Sequence, residues 1–368
     1  MMKYLKLYTA KLLGSVRNTP RSLGRFWRKS WWQKAIVLLA TLLIVCVGSM
    51  YGIARWYIHT ESSKPLLLGT SFIPAYAESL GLNAQDTMDA LINQVGVRHF
   101  RLVSYWDQLE PQQGQYDFSS LDWQFQMVEA AHGTVTLSLG LRQPRWPECH
   151  APTWTASEPQ SQWQPQLEQF MTAVVNRYKN SPALKSYQVE NEFFLQGFGG
   201  CTNFDRARLI SEYSLVKKLD PKHTAIIARS DNALGVPLNK PQPDEFGISI
   251  YKRVWSPPIG RYYEYPFPAW YYGFLAGTQK LLTGKDMIVH ELQAEAWPPS
   301  YQSINGTSLA EQKKSLDAKR FENRIKYGEG TGMREIYLWG SEYWYYRLII
   351  LHDSSLWNVA KQIYHGQN

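Results

Sequence analysis

Eight short apolar runs recur between residues 66 and 339 with amphipathic stretches between them, and this alternation constrains the fold more than any other feature of the chain. The runs are Leu66–Phe72, His99–Val103, Thr134–Leu139, Ser186–Glu190, Thr224–Ala228, Phe246–Tyr251, Met287–Glu291 and Glu335–Trp339. Helical periodicity fills the gaps. Leu167, Phe170, Met171, Val174 and Tyr178 fall on one helix face, and Met88, Leu91, Ile92 and Val95 form a second stripe closed by Gly96. Ser308-Leu309-Ala310-Glu311 is a capping box, predicting a helix that runs on to about Tyr327. Eight buried strands alternating with helices predict an α/β fold of the (β/α)8 TIM-barrel type. The fifth unit is short, with about twenty residues between its strand and the next. A doubly wound open sheet is the alternative, but no Gly-rich phosphate loop follows the first strand.

The N-terminal sixty residues are of a different kind. They hold ten Lys and Arg and no acid, leaving 29 basic and 31 acidic side chains for the rest, a net of about −2. The overall +8 therefore describes a tail, and the near-neutral remainder argues against a nucleic-acid partner. Ala35–Ala54 carries no charge over twenty residues, enough for a helix of roughly 30 Å, the hydrocarbon thickness of a bilayer. Nine basic residues precede it and only Arg55 follows closely, which predicts a cytoplasmic N-terminus and an extracytoplasmic remainder. Trp31, Trp32, Trp56 and Tyr57 flank the span as an interfacial belt. A cleaved signal peptide is the competing reading, against which stand the long basic region and the lack of a clear small-x-small site. The predicted organisation is a basic cytoplasmic tail (1–34), a transmembrane signal anchor (35–55), a linker (56–65) and a barrel domain (66–368).

In a barrel all strand C-termini meet on one rim, so Glu192 after the fourth strand and Glu291 at the end of the seventh are brought together across nearly a hundred residues. Paired carboxylates of this kind are what cleavage of a glycosidic bond requires, one to protonate the leaving oxygen and one to attack the sugar carbon. Arg101, on the second strand, is expected to hold Glu291 ionised. Asn191 offers an amide to a sugar 2-hydroxyl, and Tyr251 a hydroxyl to the nucleophile. Aromatic residues gather at predicted strand ends (Trp106, Trp146, Trp255, Trp297, Trp339, Tyr343 and Trp344), with Trp339 the expected sugar platform. Cys149 and Cys201 leave neighbouring strands on the same rim and are expected to form a disulfide. No CxxC or His/Cys cluster suggests a metal, and neither a metal nor an organic cofactor is expected.

Gln188-Val189-Glu190-Asn191-Glu192-Phe193 resembles the acid/base motif of clan A retaining glycoside hydrolases, especially the β-galactosidase families. Trp106-x-x-x-Glu110-Pro111-x-x-Gly114-x-Tyr116-x-Phe118 is similar to a pattern of those and the cellulase-like families. The resemblance implies a barrel from residue 66 to about 360 with Glu192 as acid/base and Glu291 as nucleophile. It implies that Arg101, Asn191, Tyr251 and Trp339 surround an oligo- or polysaccharide, a set to which the aromatic rim adds Trp106. The seventh strand departs from the pattern, because His290-Glu291-Leu292-Gln293-Ala294-Glu295 lacks the Glu-Gly ending of several members and leaves Glu295 as an alternative nucleophile. Simple alternation puts Met287, Val289 and Glu291 on one strand face and Glu295 in the loop beyond. Transglycosylation and a non-catalytic carbohydrate-binding barrel are the rival functions.

Overall fold

The computed structural model describes residues 30–230, 239–299 and 303–366; most of the expected basic tail lies outside them. The described residues form ten strands: β1 (Leu67–Ser71), β2 (His99–Val103), β3 (Thr134–Leu139), β4 (Leu184–Val189), β5 (Thr224–Arg229), β6 (Glu245–Ile250), β7 (Arg253–Ser256), β8 (Arg261–Glu264), β9 (Met287–Gln293) and β10 (Glu335–Trp339). Eight of them close into a parallel barrel in the order β1-β10-β9-β6-β5-β4-β3-β2, and β7 and β8 form a separate antiparallel hairpin. The barrel strands are the eight predicted from the apolar runs, with ends shifted by at most two residues. Among the described residues no helix joins β5 to β6, so the short fifth unit is also the irregular one.

Each barrel strand alternates between two environments. Outward residues such as Leu102, Leu137, Val189, Ile227, Ile248, Met287, Val289 and Leu338 join the main core beneath the helices. Inward ones fill the barrel with smaller clusters: Ile226, Ile288 and Tyr337 pack together, and Thr136 bonds both Ser186 and the Tyr337 hydroxyl. The helix Gln160–Tyr178 buries Leu167, Phe170, Met171 and Val174, the stripe read from the sequence. The N-cap half of the capping box forms, with Ser308 Oγ accepting from the Glu311 amide at 3.3 Å, while the Glu311 carboxylate meets Tyr262 and Lys314; the helix stops at Ser315. Leu316 is extended and Asp317 caps a new helix, Ala318–Glu329, so the single predicted helix is two.

The chain divides into two compact units, ending and beginning at Ile53 and Ala54. In the first, the described residues are helical from Trp31 onward and present apolar side chains such as Leu38, Leu42 and Ile44 to solvent. The helix Trp31–Glu61 is long and apolar enough to cross a membrane. In the second unit its last turns are packed, not free: Tyr57 is 1 % exposed and Glu61 pairs with Lys280 at 2.5 Å and Lys64 at 2.6 Å. Residues 56–61, expected as linker, are therefore helix bound to the barrel unit.

Candidate active site

The rim at the strand C-termini carries a buried polar network centred on Arg101. Arg101 has no exposed surface, and a guanidinium so buried must have every donor satisfied. Its Nε donates to Gln188 Oε1 at 2.6 Å and Nη1 to Glu291 Oε1 at 2.8 Å; Nη2 donates to Asn191 Oδ1 at 2.9 Å. Tyr251, just past β6, donates its hydroxyl to Glu291 Oε2 at 2.8 Å. Burial, then the charges of Glu291 and Glu192, push the Tyr251 phenol well above its usual range, so it remains a donor. Glu291 thus has one oxygen on a cation and the other on a neutral hydroxyl.

Glu291 does not reach this place by simple alternation. Met287 and Val289 face the helices, so regular pleating would carry Glu291 outward with them. The register between β6 and β9 shifts instead: Ile248 pairs with Val289 and Ser249 with Glu291, leaving His290 as an extra residue. This bulge puts His290 and Glu291 both into the barrel, with His290 Nδ1 so close to Gly247 that an added Cβ would lie 2.9 Å away. The expectation that Met287, Val289 and Glu291 share a face is corrected. Glu295 lies beyond the strand, where Arg145 Nη2 holds its Oε2 at 2.9 Å.

Glu192 also depends on irregular backbone. β4 ends at Val189, and both Glu190 (φ +60°) and Glu192 (φ +43°) are left-handed, so strand parity does not govern their directions. Glu190 turns away to pair with Arg208 at 2.7 Å and accept from the Leu141 amide at 2.6 Å, a structural role. Glu192, 5 % exposed, accepts a hydrogen bond from Ser249 Oγ, which lies 3.3 Å from His290 Nε2. Burial, then Arg101, hold His290 well below the usual imidazole range, so a neutral ring stands behind the serine. The two acids are therefore fixed by Ser249 and Tyr251, which lie two residues apart in the chain.

Asn191 has its amide orientation imposed. Its Oδ1 accepts from Arg101 and, at 3.0 Å, from Gln188 Nε2, while its Nδ2 donates to Glu148 Oε2 at 3.0 Å. Cys149 and Cys201 are bridged with Cα atoms 5.1 Å apart, tying the loop after β3 to the loop after β4.

The aromatic residues divide. Trp106 has no exposed surface, donates to Glu110 Oε2 at 2.6 Å and stacks on Phe170, so it cannot meet a sugar. Glu110 also accepts from the Gly114 amide at 2.7 Å, which explains the Trp-x-x-x-Glu-x-x-x-Gly spacing as a structural staple. Trp344 is fully buried as well. Trp339 is only 7 % exposed because the Arg145 guanidinium lies 4.6 Å from its ring centre, between it and Tyr76. Trp297 meets Tyr251 edge-on at 5.5 Å.

Sequence reasoning assigned no role to Ser249, His290, Glu148 or Arg145. The first two carried signals, as Ser249 shares parity with Tyr251 and His290 adjoins Glu291; the loop residues carried none beyond a charge beside Cys149. Among the described residues no cluster of three or more His, Cys, Asp or Glu could hold a metal ion.

Comparison with known proteins gives likenesses of three kinds. The glycoside hydrolase family 42 β-galactosidase model matches residues 81–160, which include Arg101 and the Trp106–Phe118 pattern but neither candidate acid. A mannan endo-1,4-β-mannosidase A of Podospora anserina is 33 % identical over 84 residues, 23 % of this chain and 21 % of that protein. The match thus spans about a fifth of the relative's length. Among solved structures, native xylanase 10B of Thermotoga maritima superposes with a TM-score of 0.52 at 14 % identity, covering 86 % of this chain and 99 % of that one. A glycosylated endo-β-1,4-xylanase of Gloeophyllum trabeum gives 0.50 at 15 % identity, covering 76 % and 85 %. The structural likenesses show the barrel fold alone, and the sequence likenesses, to a β-galactosidase model and a mannan endo-1,4-β-mannosidase, each cover under a quarter of this chain.

Proposed function

We propose that this chain is a membrane-anchored glycoside hydrolase that cleaves a β-linked oligo- or polysaccharide by retaining double displacement. The observation that carries the reading is the fixing of Glu192 and Glu291 by Ser249 and Tyr251, two residues apart along one chain segment, a spacing of about 6–7 Å in an extended strand. Retention, a direct attack with carboxyl groups about 5–5.5 Å apart, is drawn from the resemblance of Gln188–Phe193 to the acid/base motif of retaining glycoside hydrolases.

In the first step a Glu291 oxygen bonds to the anomeric carbon as the bond to the leaving oxygen breaks, and Glu192 gives that oxygen its proton. In the second, water bonds to the same carbon, Glu192 takes the water's proton, and the carboxylate of Glu291 departs. Arg101 and Tyr251 receive the regenerated charge on its two oxygens. The β configuration is drawn from the β-galactosidase model and the mannan endo-1,4-β-mannosidase that the chain resembles.

Anchoring is supported by the apolar helix Trp31–Glu61 and the nine basic residues before or within its first turn, which favour a cytoplasmic N-terminus and an extracytoplasmic barrel. The Cys149–Cys201 bridge suits an oxidising compartment. The detergent-purified chain should hydrolyse at least one member of an aryl β-glycoside panel, with the first-formed product in the β configuration by proton NMR. Chain-extended products would show transglycosylation, first-formed α product would refute retention, and saccharide binding without turnover would show a binding barrel.

A further inference from the structure

The loop after β3 carries a third buried carboxyl group that the two-acid mechanism does not use. Glu148 is 4 % exposed and adopts φ +72°, a left-handed conformation that a side-chain-bearing residue keeps only where its surroundings impose it. Those surroundings are explicit. The Glu148 amide donates to the Arg145 carbonyl and the Gln143 amide to the Glu148 carbonyl, both at 2.8 Å. Gly200 N donates to the Pro147 carbonyl at 2.7 Å, and the disulfide joins Cys149, directly after Glu148, to Cys201, directly after Gly200. Gly199, itself at φ +81°, leaves no room for a side chain: a Cβ there would lie 2.7 Å from Glu148 Cγ.

What these constraints deliver is one contact, Glu148 Oε2 on Asn191 Nδ2 at 3.0 Å. Asn191 Oδ1 is already committed to Arg101 and Gln188, so the amide can turn only its NH2 toward Glu148. One N–H then points at Glu148 and the other remains for a substrate hydroxyl. Through Arg101 the same chain of bonds ends on Glu291.

We propose that Glu148 is a positioning residue of this site, holding the Asn191 amide in the orientation that meets the sugar and linking that amide to the nucleophile through Arg101. The proposal rests on the glycosidase reading for what Asn191 meets, but not for the contact itself. Burial raises the Glu148 carboxyl to about 7, with Arg142 opposing and Glu291 adding to the rise. The groups that face it are Arg142, its Nη2 at 3.6 Å, Arg101, Asn191, Glu291 and the phenols of Tyr105 and Tyr251. Below that pH Glu148 offers Asn191 a neutral acceptor, and above it a charged one that grips the amide harder.

The test compares the full chain with Glu148→Gln, which keeps an acceptor but cannot ionise. The wild-type to E148Q ratio of kcat should rise with a midpoint near pH 7 to on the order of tenfold, the gain of a charged over a neutral acceptor, with KM little changed. In asparagine-15N-labelled protein in micelles, the Asn191 side-chain amide signal, assigned by its loss in Asn191→Ser, should titrate near pH 7 in wild type and stay flat in E148Q. An Asn191 signal that does not titrate, a step that persists in E148Q, or a ratio independent of pH in an active enzyme each overturns the proposal. The amide titration is read without substrate, so a chain inactive on every glycoside would defeat the glycosidase reading while the Glu148 contact stood or fell by itself.

Discussion

Tyr251→Phe isolates one hydrogen bond at the centre of the site. The change removes a hydroxyl that donates to Glu291 Oε2 at 2.8 Å and keeps the ring that meets Trp297 edge-on at 5.5 Å. A hydrogen bond to a charged group contributes about 1.5–3 kcal/mol, which at about 1.4 kcal/mol per tenfold corresponds to roughly a 10- to 150-fold change in rate. The loss should fall on one step. On the proposed mechanism, the Glu291 charge is consumed when the glycosyl-enzyme forms and the donor has less to stabilise; when it breaks down, the carboxylate leaves and the donor stabilises it. Breakdown should therefore slow, and with 2,4-dinitrophenyl β-glycosides stopped-flow should show a burst of phenol equal to the enzyme, followed by slow turnover with lowered kcat and KM. Since burial keeps the phenol protonated well past its usual range, the deficit should be constant from about pH 5 to 9. An unchanged kcat, or a loss confined to the burst itself, would refute the assignment of this donor to the departing carboxylate.

Glu291→Gln should abolish turnover on every substrate, whereas Glu192→Ala should spare substrates with good leaving groups and regain activity with azide; identical responses to both changes would contradict separate nucleophile and acid roles. The Cys149–Cys201 bridge predicts that the non-reduced chain takes up one alkyl group, at Cys46, and three after reduction in denaturant. Its loop of 52 residues corresponds to about 4 kcal/mol in the chain-entropy model, so Cys149→Ser should lower the unfolding free energy of the barrel by up to that amount, measured by denaturant titration.

The barrel was legible because its signal is repeated. Each apolar run is bounded by polar turns, and a barrel strand buried on both sides reads as a continuous apolar stretch wherever its inward residues are also apolar, as in Thr224–Ala228. Local helix geometry was less legible: in the stretch Ser308–Tyr327 the local signal of a break is the N-cap Asp317, and tertiary contacts fix it, such as Arg347 Nη1 on the Leu316 carbonyl at 3.1 Å and Ser315 Oγ on the Trp297 amide at 2.8 Å. The same holds for residues 56–61, whose buried Tyr57 and Glu61 find partners on the barrel that a reading of local composition cannot supply.

The site divides along the same line. Residue types that are expensive to bury, such as Arg101 between Phe100 and Leu102, announce themselves in sequence, because an apolar strand tolerates a guanidinium only where acids and amides await it. Directions are another matter. Glu291 enters the barrel through an extra residue in β9, and Glu192 through two left-handed residues after β4, so in both cases period-two alternation fails at the acid itself. The failure has a mechanical cause. A regular strand sends only every second residue inward, about 6–7 Å apart, whereas the bulge lets His290 and Glu291 both face the barrel, one behind Ser249 and the other against Arg101. Regular pleating cannot put a supporting imidazole and the proposed nucleophile on successive residues. The irregularity that hid the direction of Glu291 is thus the one that gives both glutamates their supports, Ser249 with His290 behind Glu192, and Arg101 with Tyr251 around Glu291.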